Sequence, residues 1–248
     1  MSESQSSYEW ENDEVRVEIP YSAAGVSTTV RVFSKFTGKL MLMDTGDGAL
    51  RDLLARERFD FVNEINLIAL THGHFDHIGG LYSLIGFMRM MQRKKTLNIL
   101  IPSGCVEAQN IITDYRRCHR NSMPFQIFYH EVGRGSGFDT DFFKVRAEEV
   151  EHFGLESISD EVDLMPALGF RVRVGQTEIG YTGDTRMCEG AKEVVRDVDL
   201  AIIEATLDEY SESEPRAHLT EAEAKELAAL ARESILIHRI PKMEGWDR

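Results

Sequence analysis

The order of apolar and polar residues predicts strands that alternate with helices along most of the chain. Val15–Ile19 alternates with a period of two residues, as a strand with one buried face does. Leu40–Met43 and Ile65–Leu70 are continuous apolar runs, which are typical of strands covered on both faces. Further strands are predicted at 28–33, 97–101, 125–129, 142–150, 169–174, 177–181, 200–204 and 235–237.

Helices are predicted between these strands. Leu50, Leu53 and Leu54 mark one face of a helix that ends near Arg58. Thr220 and Glu223 fit a capping box at the start of another helix, over 220–232. The remaining predicted helices cover 78–93 and the stretches that end near residues 120 and 195.

The domain organisation follows from this regular alternation. Residues 1–13 are acidic and Ser-rich, and we expect them to be a mobile tail. From residue 14 to residue 248 we find no linker that would divide the chain. The order of elements predicts one α/β domain in which two sheets pack together and helices cover the outside.

Composition limits the environment and the partners. With 42 acidic and 28 basic residues among 248, the chain has a formal net charge of −14. Such a surface repels nucleic acid at long range, so RNA is disfavoured as a partner unless a basic patch or metal holds it. The three cysteines are widely spaced and odd in number, which indicates a reducing compartment. No secretory signal or membrane span is evident, so we expect a cytoplasmic protein without a membrane partner.

The segment after the strand at 65–70 holds three histidines and an aspartate within six positions. Packing and solubility do not require such a cluster, whereas imidazole and carboxylate groups at the mouth of a buried strand suit metal ions. His72 and His74 are expected to point at one ion, and Asp76 and His77 at a second. These donors suit zinc, with manganese or iron as alternatives.

The sequence His-x-His-x-Asp-His after a strand resembles the motif of the metallo-β-lactamase fold superfamily of hydrolases. The resemblance implies an αββα sandwich, in which two mixed β-sheets pack face to face with helices outside. It also implies that a third histidine completes the first metal site. His152 is favoured for that position, and His130 and His119 compete for it.

Two later segments resemble the remaining ligands of the superfamily. Tyr-Thr-Gly-Asp-Thr at 181–185 is similar to the segment that supplies a shared carboxylate, here Asp184. His238, at the end of the last predicted strand, then completes the second site. The implied first site is His72, His74 and His152, and the second is Asp76, His77 and His238, with Asp184 shared.

The implied chemistry is hydrolysis. Two cations about 3.5–4 Å apart can hold a hydroxide between them at neutral pH, and Asp76 is a candidate to orient that hydroxide. Asp44, in an Asp-x-Gly motif, resembles the acid that holds a ligand histidine by its other ring nitrogen.

Residues 203–206 and 217–220 resemble motifs of the ribonuclease Z group, which processes the 3′ ends of tRNA. The resemblance implies that Glu204 orients His218, and that His218 stabilises the phosphate or protonates the leaving oxygen. Two positions depart from the group: Ile203 replaces a histidine and Leu219 replaces a serine. The group's tRNA-clamping arm is replaced by the short, acidic stretch 153–183.

We therefore expect a dinuclear phosphodiesterase that acts on RNA ends or smaller diesters. The alternatives are a glyoxalase-type thioesterase, a lactonase, a β-lactam hydrolase, or a metal-binding homologue without catalysis. A homodimer is a weak expectation of the resemblance, and Met88, Met90 and Met91 serve either a core or an oligomer surface. Five arginines are candidates for a local basic patch, namely Arg16, Arg31, Arg116, Arg117 and Arg120.

Overall fold

A computed structural model of the chain describes residues 7–55, 59–154, 164–209 and 217–241. The strands are β1 (Tyr8–Glu11), β2 (Val15–Ile19), β3 (Ser22–Ala23), β4 (Ser27–Thr28), β5 (Val30–Ser34), β6 (Leu40–Met43), β7 (Ile65–Ala69), β8 (Leu97–Pro102), β9 (Ile127–Val132), β10 (Gly137–Asp139), β11 (Lys144–Glu149), β12 (His152–Phe153), β13 (Leu164–Met165), β14 (Leu168–Val174), β15 (Thr177–Tyr181), β16 (Leu200–Glu204) and β17 (Glu233–Ile237). The helices are α1 (Ala49–Leu54), α2 (Phe61–Glu64), α3 (Phe75–Ile78), α4 (Leu81–Met90), α5 (Val106–His119), α6 (Glu189–Val195) and α7 (Glu221–Ala228).

Most of the strands form two mixed sheets. The first has the order β1-β2-β5-β6-β7-β8-β9, and the second β10-β11-β14-β15-β16-β17. In the first sheet the pairs from β6 to β9 are parallel and the others antiparallel. In the second sheet only β15, β16 and β17 are parallel to one another.

Three apolar layers hold these sheets and the helices together. One core cluster combines residues of both sheets, and two further clusters combine one sheet each with helices. In β6, Met41 and Met43 belong to the cluster between the sheets, while Leu40 and Leu42 belong to the cluster beneath the helices. A strand covered on both faces needs apolar residues at every position, which explains this continuous run. The predicted αββα sandwich is confirmed.

The parallel strands bring the polar motifs to one end of the sandwich. Asp44 follows β6, the His72–His77 motif follows β7, Glu204 ends β16 and His238 follows β17. Asp44 and His238 both have a φ of 59°, in the left-handed region that side chains rarely adopt. Such strain at two strand ends indicates a position fixed by its surroundings.

The N-terminal segment differs from the expected mobile tail. Tyr8–Glu11 form β1, which pairs antiparallel with β2, and Tyr8 and Trp10 pack against the core between the sheets. The partial burial of two aromatic side chains against this core outweighs the acidic composition of the segment. Residues 1–6 lie outside the described part of the chain, and the single domain over 14–248 stays a prediction.

The helix expected over 78–93 is divided into α3 and α4 by Gly79 and Gly80. A Cβ on Gly80 would lie 2.3 Å from the carbonyl oxygen of Gly46, so only glycine allows this approach. The Gly80 N–H donates to the Thr45 carbonyl. The other helices form near the predicted positions, although α1 ends at Leu54 and residues 56–58 are not described. Within the described ranges, no helix is both long and apolar enough to cross a membrane.

Candidate metal centre

Three histidines from separate elements face one another at the end of the sandwich. His72 and His74 lie between β7 and α3, and His152 begins β12. His74 Nδ1 lies 3.1 Å from His72 Nε2 and 3.1 Å from His152 Nε2. Two nitrogens on one tetrahedral zinc ion are about 3.3 Å apart, given bonds of about 2.0–2.1 Å. The spacing of this first group therefore fits a single ion.

A second group lies beside the first. His238 Nε2 is 3.3 Å from His77 Nε2 and 3.3 Å from Asp76 Oδ2. Asp184 is 3.3 Å from His77 Nε2 through Oδ1 and 3.4 Å from His238 Nε2 through Oδ2. Asp184 Oδ2 is also 3.9 Å from His72 Nε2, so this carboxylate lies between the two groups.

Hydrogen bonds fix four of the five histidines from outside. In each case the nitrogen away from the neighbouring ligand atoms contacts an oxygen, which orients the ring so that its other nitrogen faces inward. The outer contacts are His72 Nδ1 to Thr71 Oγ1 (3.0 Å), His77 Nδ1 to Asp44 Oδ2 (2.7 Å), His152 Nδ1 to the Ala217 carbonyl (2.9 Å) and His238 Nδ1 to Thr206 Oγ1 (2.9 Å). Ring nitrogens that converge in this way suit a cation.

The electrostatics favour neutral ligands in the first group. Burial, followed by the neighbouring His77, lowers the pKa of His72 well below its usual value. Burial lowers the pKa of His152 to about 4 and also lowers that of His74. Neutral imidazole is the form that binds metal, so this group requires no loss of a proton at neutral pH.

The second group carries an excess of buried negative charge. Asp44, Asp76 and Asp184 are all buried. Burial disfavours a charge on His77, but Asp184 and Asp44 outweigh it and raise the pKa of His77 well above its usual value. Burial works against the ionised form of Asp184 too, yet His238 and His77 lower the pKa of this carboxyl. Buried carboxylates at this density require a cation or a proton beside them.

Glu204 and His218 form a charged pair next to both groups. Glu204 is buried and accepts from His218 Nδ1 at 2.9 Å and from the Thr185 N–H at 3.0 Å. Burial opposes a charge on His218, but Glu204 outweighs it and raises the pKa of His218 to about 9. His218 Nδ1 lies 3.9 Å from Asp184 Oδ2, and its side chain is 23% exposed.

The structure brings the seven expected metal ligands, the Glu204–His218 pair and Asp44 to this one place. His130 and His119, the alternatives for the third histidine, lie elsewhere. His130 Nε2 bonds to Asn98 Oδ1, and the His119 ring packs against Tyr115. Asp44 holds a ring nitrogen of His77, as its Asp-x-Gly motif indicates.

Three supporting groups were not expected from the sequence. The Tyr181 hydroxyl donates to Asp44 at 2.8 Å, and Thr206 links Glu204 to His238. The backbone carbonyl of Ala217 holds His152. Tyr181 and Thr206 lie at or just beyond strand ends, which is the one signal that could have identified them.

Comparison with known proteins places this centre in a family. The pattern of the family described as a Beta-lactamase superfamily domain matches residues 40–238, from β6 to the final histidine. The chain belongs to the β-lactamase superfamily. The prediction of a metal-dependent hydrolase of this superfamily is thereby confirmed, as is divalent-metal binding as a property of the fold.

Individual members of the β-lactamase superfamily are similar over most of their length. The ribonuclease Z of Metallosphaera sedula is 30% identical over 230 residues, which cover 79% of this chain and 76% of that protein. The crystal structure of the short form of human tRNase Z has a TM-score of 0.72 at 22% identity and covers 90% of this chain and 92% of that chain. The metallo-beta-lactamase fold protein YhfI from Bacillus subtilis has a TM-score of 0.69 at 17% identity and covers 93% of this chain and 88% of that chain.

Proposed function

We propose that this member of the β-lactamase superfamily is a dinuclear metal-dependent phosphodiesterase that acts on RNA ends or on smaller diesters. The observation that carries the proposal is the Glu204–His218 pair, held beside the two groups of metal-binding side chains. A cationic histidine next to a metal centre suits a substrate whose charge increases during reaction.

The ligand assignment is part of the proposal. His72, His74 and His152 would hold one cation and Asp76, His77 and His238 a second, with Asp184 shared between them. When bound, such divalent cations lower the pKa of a water molecule and stabilise negative charge on the attacked centre. Imidazole and carboxylate donors suit zinc, and manganese or iron are the alternatives.

The remaining roles belong to side chains around the ligands. Asp44 accepts from His77 Nδ1 at 2.7 Å and from Thr71, and so orients that histidine. Asp76, which accepts from the Gly25 N–H at 2.8 Å, would align the attacking nucleophile. Burial acts against its ionised form, but His238 and His77 lower the pKa of Asp76 to about 2, so it remains a carboxylate.

His218 is assigned to the leaving group. Glu204 occupies its Nδ1 and keeps the ring protonated at neutral pH, which leaves the Nε2 proton for the substrate. From there His218 would neutralise charge on a phosphate oxygen or donate its proton to the leaving oxygen. Ribonuclease Z is the printed name of the similar Metallosphaera sedula protein, which supports RNA as the substrate class.

The test compares bond types in the zinc- or manganese-loaded protein. We expect turnover of bis(p-nitrophenyl) phosphate and a loss of about 10²-fold or more in kcat for His218→Ala, with metal content unchanged. His130→Ala is the matched control. His130 lies outside the centre, so this variant should keep full activity.

Other outcomes would contradict the proposal. Turnover of a thioester or lactone that is indifferent to His218→Ala, with no diester cleavage, would indicate another hydrolase of the superfamily. Full metal loading without turnover of any ester in the panel would indicate a non-catalytic homologue.

A further inference from the structure

A second feature with distinctive chemistry lies at the other end of α5. The last turns of this helix and the start of β9 enclose a cleft of about 500 Å³. Its lining includes three arginines and no acidic residue, although the chain as a whole has 42 acidic and 28 basic residues. The residues that define this arginine cleft are Thr113, Arg116, Arg117, Arg120, Met123, Phe125, Gln126, Ile127 and Phe128.

Helix geometry explains how the arginines come together. Arg116, Arg117 and Arg120 are three, four and seven positions after Thr113, so they share one face of α5 and its C-terminal extension. All three are exposed. The other two arginines considered for a basic patch, Arg16 and Arg31, lie in the first sheet and contact Glu18 instead.

Among the described residues, two of the guanidinium groups have no carboxylate within ion-pair distance. Arg117 contacts Asp114 at 3.1 Å, but Arg116 and Arg120 form no ion pair within the described residues. Elsewhere the acidic excess does supply partners, as for Arg146 with Asp139 and Arg232 with Asp199. The cleft therefore keeps positive charge available on a surface that is otherwise negative.

The lining of the cleft also includes an aromatic residue. Phe128 is 46% exposed and lies on β9, the edge strand of the first sheet. Cations near a helix C-terminus are favoured by the helix dipole, which accounts for arginines in the last turn. The dipole does not account for an exposed phenylalanine in the lining of the same cleft. Guanidinium groups beside an exposed ring are the chemistry that binds a phosphodiester backbone and stacks a base.

We propose that the arginine cleft is a binding site for single-stranded nucleic acid, separate from the metal centre. Arg116 and Arg120 contact two backbone phosphates, and one base stacks on Phe128. The cleft volume lies within the usual range for a small-ligand site, about 300–1,000 Å³, so one nucleotide unit fits.

The arginine cleft and the metal centre lie near opposite ends of α5. Glu107, in the first turn of α5, lies beside Gly73 of the His72–His77 segment, where a Cβ on that glycine would be 2.6 Å from its carboxylate. The 14 residues of α5 span about 21 Å, so the cleft lies about that far along the helix. Binding at the cleft does not depend on the proposed phosphodiesterase activity.

The test measures the binding of a fluorescein-labelled, nuclease-resistant 2′-O-methyl RNA 12-mer to the metal-loaded protein by fluorescence anisotropy. Arg116→Gln/Arg120→Gln is expected to raise the Kd at least fivefold. It should also reduce the slope of log K against log salt by about 1.4, because two phosphate contacts are lost at about 0.7 each. Phe128→Leu, which keeps an apolar side chain without a ring, is expected to raise the Kd at least fivefold as well.

The matched control removes two cations from the second sheet. Lys144 and Arg173 are cross-strand neighbours and both are exposed, so Lys144→Gln/Arg173→Gln changes the net charge by the same amount. The proposal is overturned if wild type does not bind the 12-mer, or if either cleft variant raises the Kd less than fivefold relative to this control. Cleavage of bis(p-nitrophenyl) phosphate should stay unchanged in all three variants, so a failure of the cleft is distinct from a failure of the metal centre.

Discussion

The hydrogen bond between buried Glu204 and His218 determines the orientation and the charge of the histidine. Glu204 is buried and receives hydrogen bonds from Thr185 and Thr206 as well as from His218 Nδ1. Donors on both of its oxygens fix the position of this carboxylate, which in turn holds the imidazole in one orientation. The pair thus supplies a fixed cation with one proton directed away from Glu204.

A comparison of two substrates with different leaving groups should show where the His218 proton goes. If His218 protonates the leaving oxygen, His218→Ala will slow cleavage of a dinucleotide more than that of bis(p-nitrophenyl) phosphate, because p-nitrophenolate leaves without a proton. We expect the two losses in kcat to differ by about tenfold or more. Equal losses on both substrates would instead assign His218 to the phosphate oxygen.

The pH dependence follows from the raised pKa of the same histidine. His218 is protonated below its pKa of about 9, so dinucleotide cleavage should fall as the pH rises through that value. Glu204→Gln removes the charge that raises the pKa, and the alkaline limb of kcat/KM should move to lower pH. A limb that stays in place in this variant would show that another group controls it.

The cysteines should differ in reactivity. Burial, with a contribution from Glu107, raises the pKa of the Cys105 thiol to about 11, while Cys118 is exposed. At pH 8 only about one Cys105 in a thousand is a thiolate. Iodoacetamide should therefore modify Cys118 and leave Cys105 intact in the native protein, as peptide mass spectrometry can measure. Equal labelling of Cys105 and Cys118 would contradict the burial of the Cys105 thiol.

One buried side chain, that of Arg93, holds the loop after α4 in place. Arg93 is buried, and burial lowers the pKa of its guanidinium to about 10. It donates to the carbonyls of Lys95 at 2.7 Å, Ile65 at 2.8 Å and Thr96 at 2.9 Å, and also to that of Val62. One cation thereby joins α2, the start of β7 and the loop before β8.

Removal of this cation should destabilise the fold. Arg93→Met leaves several carbonyls without a donor, and we expect a loss of about 3 kcal/mol in the free energy of unfolding. Arg89→Met, near the end of α4, removes an exposed contact with Ser122 and an interaction with the Tyr115 hydroxyl, and should cost at most about 1 kcal/mol. Urea denaturation of the metal-loaded protein measures both, and similar midpoints would contradict the role of Arg93.

The sequence predicted elements well where one face or both faces of a strand are covered by a core. β6, β7 and β16 form at the predicted positions because a continuous apolar run has no other place in a compact fold. The break at Gly79–Gly80 was not predicted, since it depends on the distant carbonyl of Gly46. β1 was missed because its aromatic residues are stabilised by a core that is distant along the chain.

In the candidate site, too, local motifs could be predicted from the sequence and long-range contacts could not. The motif at 72–77 is local, so its side chains could be identified together from the sequence. The third histidine could not be selected from spacing alone, because His119, His130 and His152 all lie close to the ends of elements. Only the fold brings His152 Nε2 to 3.1 Å from His74 Nδ1. Contacts such as Tyr181 to Asp44 cross between the sheets and leave no pattern in the sequence.

The molecule as a whole concentrates buried negative charge at one end of the sandwich. Asp44, Asp76, Asp184 and Glu204 are all buried there, against an overall charge of −14. Buried carboxylates are costly without cations, so the centre and the fold should depend on metal together. The arginine cleft lies at the other end of α5, where its positive charge remains separate from this acidic cluster.

The metal content of the purified protein decides whether these side chains hold two cations. After incubation with zinc or manganese and removal of unbound ions, inductively coupled plasma mass spectrometry should find two ions per chain. Asp184→Asn should retain fewer, because its carboxylate lies between the two groups, whereas His130→Ala should retain two. A wild-type chain that stays free of metal, or an Asp184→Asn variant that keeps both ions, would contradict the account.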